Sequence, residues 1–316
     1  MHVESAPGAL GRSRSLTLSP QAFRWVAMGA VTTLVLIVAS GATVRLTGSG
    51  LGCPPVTVDI AACVKAYGAR GYHSDIEFFN RVVSGLTVIV ALVLAVAAWR
   101  TRGLGRRAKL LATGAFLGTF AQAPLGALTV HYHLNPYLVI SHLLVALVAL
   151  GLGVLVLLEA TRVVHGGGSA LPALARWGGA TLLAAVSVLV VSGTLSTAAG
   201  RFPGSSGSQV VERIWIFHSA VYWHVRAVAV FGVVFLALAG WAWRRRDRLA
   251  WLVRGCAGLL AILLAQMGIG ELQYRTYGTV PWGVVVLHVA IAALLFAWTV
   301  GLVARLWRPV AHEDVD

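Results

Sequence analysis

Eight apolar stretches dominate this sequence, each close to the roughly 20 residues that an α-helix needs to cross a bilayer. The segment "VVSGLTVIVALVLAVAAW" at 82–99 is typical of them. They fall near 23–45, 78–99, 108–130, 137–159, 176–198, 217–243, 251–271 and 282–304. A backbone in hydrocarbon must satisfy its own hydrogen bonds, so runs of this length predict helices. Only 11% of the residues are charged, against roughly 25% in soluble domains. The expected fold class is therefore an all-α integral membrane protein with eight transmembrane helices. The first 22 residues hold Arg12 and Arg14 but no separate apolar core. The first span is thus expected to be retained rather than removed as part of a signal peptide.

The net charge of +14 is unevenly placed. Of the 25 lysines and arginines, 17 lie on one set of ends and loops, in clusters such as Arg100 to Lys109 and Arg244 to Arg248. The other eight, among them Arg45, Arg81, Arg201 and Arg226, lie on the opposite side. The richer side is cytoplasmic by the positive-inside rule, which puts both termini inside. The charge then serves topology and contact with anionic membrane lipid. Basic segments such as "WRRRDR" are short connections between spans, too cramped for a nucleic-acid module, so no nucleic-acid partner is expected. Cys53 and Cys63 flank "PPVTVDIAA" in the first outer loop. In an oxidising compartment they are expected to form a disulfide, whereas Cys256 reads as a packing residue.

An internal repeat organises the chain. "AQAPLGAL" at 121–128 is answered by "AQMGIGEL" at 265–272, and "ISHLLVAL" around His142 by "VLHVAIAAL" around His288. "HSDIEFFNR" at 73–81 falls on "HSAVYWHVR" at 218–226, pairing His73 with His218 and Arg81 with Arg226. Span one ends in "SGATVRLTGSG" and span five in "SGTLSTAAG". The chain reads as four helices written twice, giving two pseudo-symmetric four-helix bundles of the same orientation. The expected division is a tail at 1–22, a first half at 23–160, a linker at 161–175, a second half at 176–305 and a tail at 306–316.

Ionisable groups inside spans are costly and mark functional sites. His142 and His288 both lie about 7–9 Å below the outer helix ends at 1.5 Å per residue, and His218 lies near the outer end of span six. Histidines at matching depth and at repeat-related positions point to metal. No carboxylate and histidine cluster recurs on one helix face, so a haem iron held between facing helices fits better than zinc. His131 and His133 read as interfacial residues. Glu77 has Arg81 four residues on, the spacing of a helical ion pair. At the offset that pairs Arg81 with Arg226, the second half has Tyr222 in place of the acid. An acid in only one of two duplicated sites suggests that one site does chemistry and the other carries electrons. Arg81 and Arg226 suit haem propionates, since guanidinium pairs well with carboxylate. Glu271 has no counterpart in the first half and no assigned role.

Taken together, "SGATVRLTGSGLGC", "IEFFNR", "AQAPLGALTV", "SHLLVAL", "AQMGIGEL" and "VLHVAIAAL" resemble the haem A synthase family over roughly residues 23–305. That resemblance implies an oxidoreductase that converts a methyl group of haem O to the formyl group of haem A for terminal oxidases. It places haem O in the first half and a haem b cofactor in the second, with the sites toward the outer side of a bacterial plasma membrane. It implies Glu77 as the acid at the substrate site, with His142, His218 and His288 as metal ligands. His224 stays open as the alternative to His218. Haem O synthase is a candidate partner, the electron acceptor is unspecified, and self-association into a homo-oligomer is left open. Many members have histidine where this chain has Asn80. Either His73 serves as the ligand instead, although it lies about 10 Å along the helix, or the axial position beside Asn80 is weakly held. The competing functions are a di-haem b-type cytochrome that only relays electrons, which leaves Glu77 without a purpose, and a transporter. A transporter would gather charges at the midplane rather than at the outer ends.

Overall fold

The computed structural model describes residues 17–53, 61, 72–205, 211 and 213–311. Among these, eight helices or helix pairs are long and apolar enough to cross a membrane. In chain order they are α1 (Pro20–Leu46), α2 (Tyr72–Arg100), α3 (Arg106–Phe120), α4 (Gln122–His131) and α5 (Pro136–His165). After these come α6 (Ala173–Ala199), α7 (Phe217–Trp243), α8 (Ala250–Arg275) and α9 (Trp282–Trp307). Helices α3 and α4 together form the third span.

Local chemistry sets the helix ends. Ser19 accepts a hydrogen bond from the Ala22 amide at the start of α1, with Pro20 as its first residue. Asn135 does the same for Tyr137 ahead of Pro136 in α5. Both follow the preference for a polar cap followed by proline, whose missing N–H is unneeded there. The break between α3 and α4 falls at Ala121, three residues before Pro124. Proline cannot donate to the carbonyl four residues back and crowds it. The matching stretch of α8 has Gly268 in place of Pro124, and that helix runs unbroken.

Each half closes into a ring. Helix α1 packs on α2, α2 on α3, α3 on α5 and α5 back on α1. The second half repeats this with α6, α7, α8 and α9. The halves meet chiefly where α9 packs against α1 and α5. Helix α5 buries 56% of its most apolar window, more than any other span, and is the central helix. Alanines fill the inner core of the first half, among them Ala27, Ala30, Ala98, Ala108 and Ala112. Small residues let membrane helices approach closely where no hydrophobic drive exists between them and lipid. The second core is larger and holds Phe231 and Phe235, both essentially fully buried.

The two ends of the molecule are fastened differently. At the end holding the termini, buried Glu159 of α5 receives Arg308 through Nε at 2.6 Å and Nη2 at 3.0 Å, with Arg107 at 3.6 Å. This ion pair ties the central helix to the chain leaving α9. At the opposite end the loops leaving α1 and α6, which occupy equivalent places in the two halves, pair with each other. The Gly50 amide donates to the Gly204 carbonyl at 2.7 Å, beside a bridge between Ser49 and Ser205. Arg45 Nη2 donates to the Thr197 carbonyl at 3.2 Å across the same seam.

Candidate functional site

The start of α2 carries the first cluster. Helix α2 begins at Tyr72, six residues before the apolar run that the hydropathy pattern marks. The extra polar turns dock against the loop that follows α1. Glu77 is 4% exposed. Its Oε2 accepts from the Cys53 amide at 2.7 Å and its Oε1 from Arg81 Nη2 at 2.7 Å. The Ser74 hydroxyl donates to the Gly52 carbonyl at 3.0 Å. His73 Nδ1 is hydrogen-bonded to the Ser49 hydroxyl at 3.0 Å. His73 therefore sits in a clasp between loop and helix, seven residues before Asn80 on the same helix. Cys63, the expected partner of Cys53, lies outside the described residues.

Gly52 shows how tight the clasp is. A Cβ there would stand 2.7 Å from the His73 carbonyl oxygen, a backbone atom that cannot swing away. Gly52→Ala is expected to push the loop off α2 and remove the Cys53 amide from Glu77. The check is a thermal melt of the purified protein, which should fall by several degrees.

The second cluster lines a cavity of about 790 Å³ in the second half, a volume within the range of small-molecule sites. His224 of α7 and His288 of α9 both face it. Each is held by a neighbouring helix. His224 Nδ1 is hydrogen-bonded to the Ser192 hydroxyl of α6 at 3.0 Å. The His288 carbonyl accepts from Gln266 Nε2 of α8 at 2.9 Å. Glycines make room for both rings: a Cβ on Gly193 or on Gly270 would come within 3.2 Å of Cε1 of His224 and His288 respectively. His288 Nδ1 is buried without a hydrogen-bond partner. The walls are largely aliphatic, with Val190, Leu263 and Val289 among them. Arg201 and Arg226 also line the cavity, and Arg226 stacks over the Tyr222 ring at 3.1 Å. Two imidazoles on facing helices, greasy walls and flanking guanidinium groups suit a flat amphiphilic macrocycle whose metal takes a ligand from each side.

His218 borders the same cavity but is exposed and packs edge-on against Tyr274. It lies six residues before His224, so the two do not share a helix face. Of the two, His224 is the one tied to a neighbouring helix, through Ser192, while His218 stands exposed. Glu271 lines the cavity and pairs with Arg275 at 2.6 Å. Among the described residues no group of three or more His, Cys, Asp or Glu side chains could hold a metal ion by itself.

In the first half, His142 of α5 lies against Gly126 of α4, whose Cβ would come 3.4 Å from the ring Cε1. The Gln122 side-chain amide, nitrogen inward, donates to the His142 carbonyl at 3.2 Å. These contacts copy those of Gln266 and Gly270 around His288. On α2, the Ser40 hydroxyl donates to Asn80 Oδ1 at 2.9 Å, just as Ser192 meets His224. The two Ser-Gly pairs, Ser40-Gly41 and Ser192-Gly193, thus make Asn80 the counterpart of His224. The repeat here runs at an offset of 144, the same as for Gln122 and Gln266, and pairs Glu77 with Val221. The 145-residue alignment of His73 with His218 and of Arg81 with Arg226 is one residue out of step with these contacts. The serines and glycines carried the signal in sequence, as repeated "SG" and "G" letters. Their partners became visible only once the helices were placed.

Residues 72–300, well over half of the chain, match the COX15-CtaA family, described as cytochrome oxidase assembly protein. Among curated relatives, the haem A synthase ("Heme A synthase") of Lysinibacillus sphaericus (strain C3-41) is 34% identical over 128 residues. That match covers 40% of this chain and 41% of the relative. The protein of the same name from Staphylococcus haemolyticus (strain JCSC1435) is 32% identical over 128 residues, again 40% of this chain and 41% of the relative. The one from Bacillus pumilus (strain SAFR-032) is 31% identical over 144 residues, 43% of this chain and 45% of the relative. Each aligned stretch therefore spans less than half of the relative it matches. The family match, by contrast, runs from the first turn of α2 into α9 and takes in both clusters, so the chain belongs to the COX15-CtaA family of cytochrome oxidase assembly proteins.

Proposed function

We propose that this protein is a haem A synthase, an oxidoreductase that converts one methyl group of haem O to a formyl group and so supplies haem A to terminal oxidases. The observation that carries this reading is the asymmetry between two sites built on one repeat. The second half offers two facing imidazoles around an apolar cavity. The first offers one imidazole and, on the helix opposite, a buried acid paired with an arginine, and the second half has no acid at the equivalent place. A chain that only relayed electrons has no use for that difference.

In this reading haem O binds in the first half with His142 toward its iron and Arg81 toward a propionate. Haem b would be held in the second half by His224 and His288, with Arg201 and Arg226 in the same cavity to receive carboxylates. When bound, haem b supplies a one-electron carrier. The first oxidation removes two electrons and two protons from the methyl carbon and water together, and leaves a hydroxymethyl group. The second removes two more of each and gives, through the hydrated aldehyde, the formyl group and water. Positive charge develops on the reacting carbon as electrons leave. The Glu77 carboxylate stabilises that charge and takes the proton from the attacking water. Arg81 pairs with Glu77 in its buried position, while the neutral Cys53 amide is the contact that Glu77 can release. The electrons pass to an acceptor outside the chain, and haem O synthase is the enzyme class that must deliver the substrate.

The eight spans belong in the cell membrane of a bacterium, with both termini in the cytoplasm and both sites toward the outer face. Pigment extracted from the purified protein tests the reading. Haem O or haem A alongside protohaem is the expected result; protohaem alone, from a host that makes haem O, would favour the relay.

A further inference from the structure

The two halves build their sites from the same parts, with one replacement. In the second half the imidazole of His224 fills the space over Gly193, where a Cβ would come 3.2 Å from Cε1 and 3.6 Å from Nδ1. In the first half a Cβ on Gly41 would meet nothing within 4 Å. The side chain at the equivalent place is Asn80, which is shorter than histidine and is held back by the Ser40 hydroxyl at 2.9 Å. The opposite wall keeps the same residue types, with Gln122, Gly126 and His142 repeating Gln266, Gly270 and His288, and the Gln122 amide, nitrogen inward, also lies 3.0 and 3.1 Å from the His142 ring nitrogens. Nor does His73 take over the missing role: it is hydrogen-bonded to Ser49, two turns away toward the helix start.

We propose that the first-half site is a single-histidine site. Among the described residues His142 is its one imidazole, and with a haem bound the space walled by Ser40, Gly41 and Asn80 would be open to a small exogenous ligand such as water, carbon monoxide or imidazole. This rests on the reading above that the first half takes a haem. Asn80 is then a specificity residue. An amide is a poor ligand for haem iron where imidazole is a good one, so Asn80 shapes the pocket and leaves the metal accessible. The second half would be closed to such ligands, with His224 and His288 both available to hold the group.

The test uses the purified full chain loaded with protohaem as the probe in both halves, reduced, and titrated with carbon monoxide. Two haem populations are expected, one low-spin and inert to carbon monoxide, the other high-spin and reactive. His142→Ala should remove the reactive population and leave the inert one. Asn80→His should convert the reactive population to low-spin and abolish its carbon monoxide binding. Gly41→Val, which narrows that wall, should lower the carbon monoxide affinity of the haem that remains bound, and it serves should Asn80→His fail to fold. Two inert low-spin haems in the unaltered protein would overturn the inference while leaving the proposed function intact. Haem content unaffected by His142→Ala, with no reactive population in the unaltered protein, would overturn both.

Discussion

Glu77→Gln is expected to stop the conversion of haem O at haem O itself or at the hydroxymethyl stage while the protein keeps its fold and its haem. The substitution is chosen because the clasp gives Glu77 two duties. A glutamine carbonyl can still accept from the Cys53 amide, so the loop after α1 stays docked. What disappears is the negative charge beside Arg81, and with it both the stabilisation of a cationic carbon and the base for water. Removing a preorganised electrostatic group of this kind typically costs on the order of 100–1,000-fold in turnover. Glu77→Ala is the harsher control. It takes the carboxylate away from Arg81 and also releases the loop, and breaking a buried pair in this way costs about 3–5 kcal/mol. If the activities of the two variants fall together with their melting temperatures, Glu77 is a structural clasp and nothing more. If Glu77→Gln melts like the unaltered protein and yet leaves haem O unconverted, the carboxylate is needed for the chemistry. Extracted pigment resolved by chromatography, with thermal melts of both variants, gives the answer.

The second large effect concerns the facing histidines of the other half. His288→Ala and His224→Ala should each remove the low-spin spectrum of the second-half haem and lower the haem content, because neither α7 nor α9 offers a substitute at that place. His224→Met should behave differently: a thioether still ligates iron and raises its potential, so haem is retained with a shifted midpoint. His218→Met should leave spectrum and potential alone, since His218 lies exposed against Tyr274. The contrast between the two methionine variants, read by redox titration, separates a ligand from a neighbour six residues away.

Much of this architecture is legible in the letters, and the reasons are physical. Hydropathy marks all eight spans because lipid admits few charged side chains, and each expected span lies on an observed helix. The fourfold-twice repeat was visible in "AQAPLGAL" and "AQMGIGEL", and the structure gives those glutamines and glycines a purpose around His142 and His288. Pro124 carries the break between α3 and α4 in a single residue, although a span counted only by its apolar content runs straight through it. The early start of α2 is not visible to hydropathy. The polar turn at 72–77 is stabilised by the loop at 49–53, which is distant in sequence. The repeat register around span six fails for a related reason. Matching letters aligned His73 with His218, whereas the hydrogen bonds of Ser40 and Ser192 align Asn80 with His224. His218 and His224 stand six residues apart, about 120° round the helix, so only His224 comes within reach of the Ser192 hydroxyl.

The most direct measurement is conversion of substrate by the purified protein. Haem O is supplied to the full chain in detergent or lipid, with an excess of a one-electron acceptor such as ferricyanide, and the pigment is recovered and weighed by mass spectrometry. The account expects the hydroxymethyl and then the formyl product to appear, at a rate that collapses in Glu77→Gln. Recovery of unchanged haem O from protein whose spectra show both sites filled would contradict it.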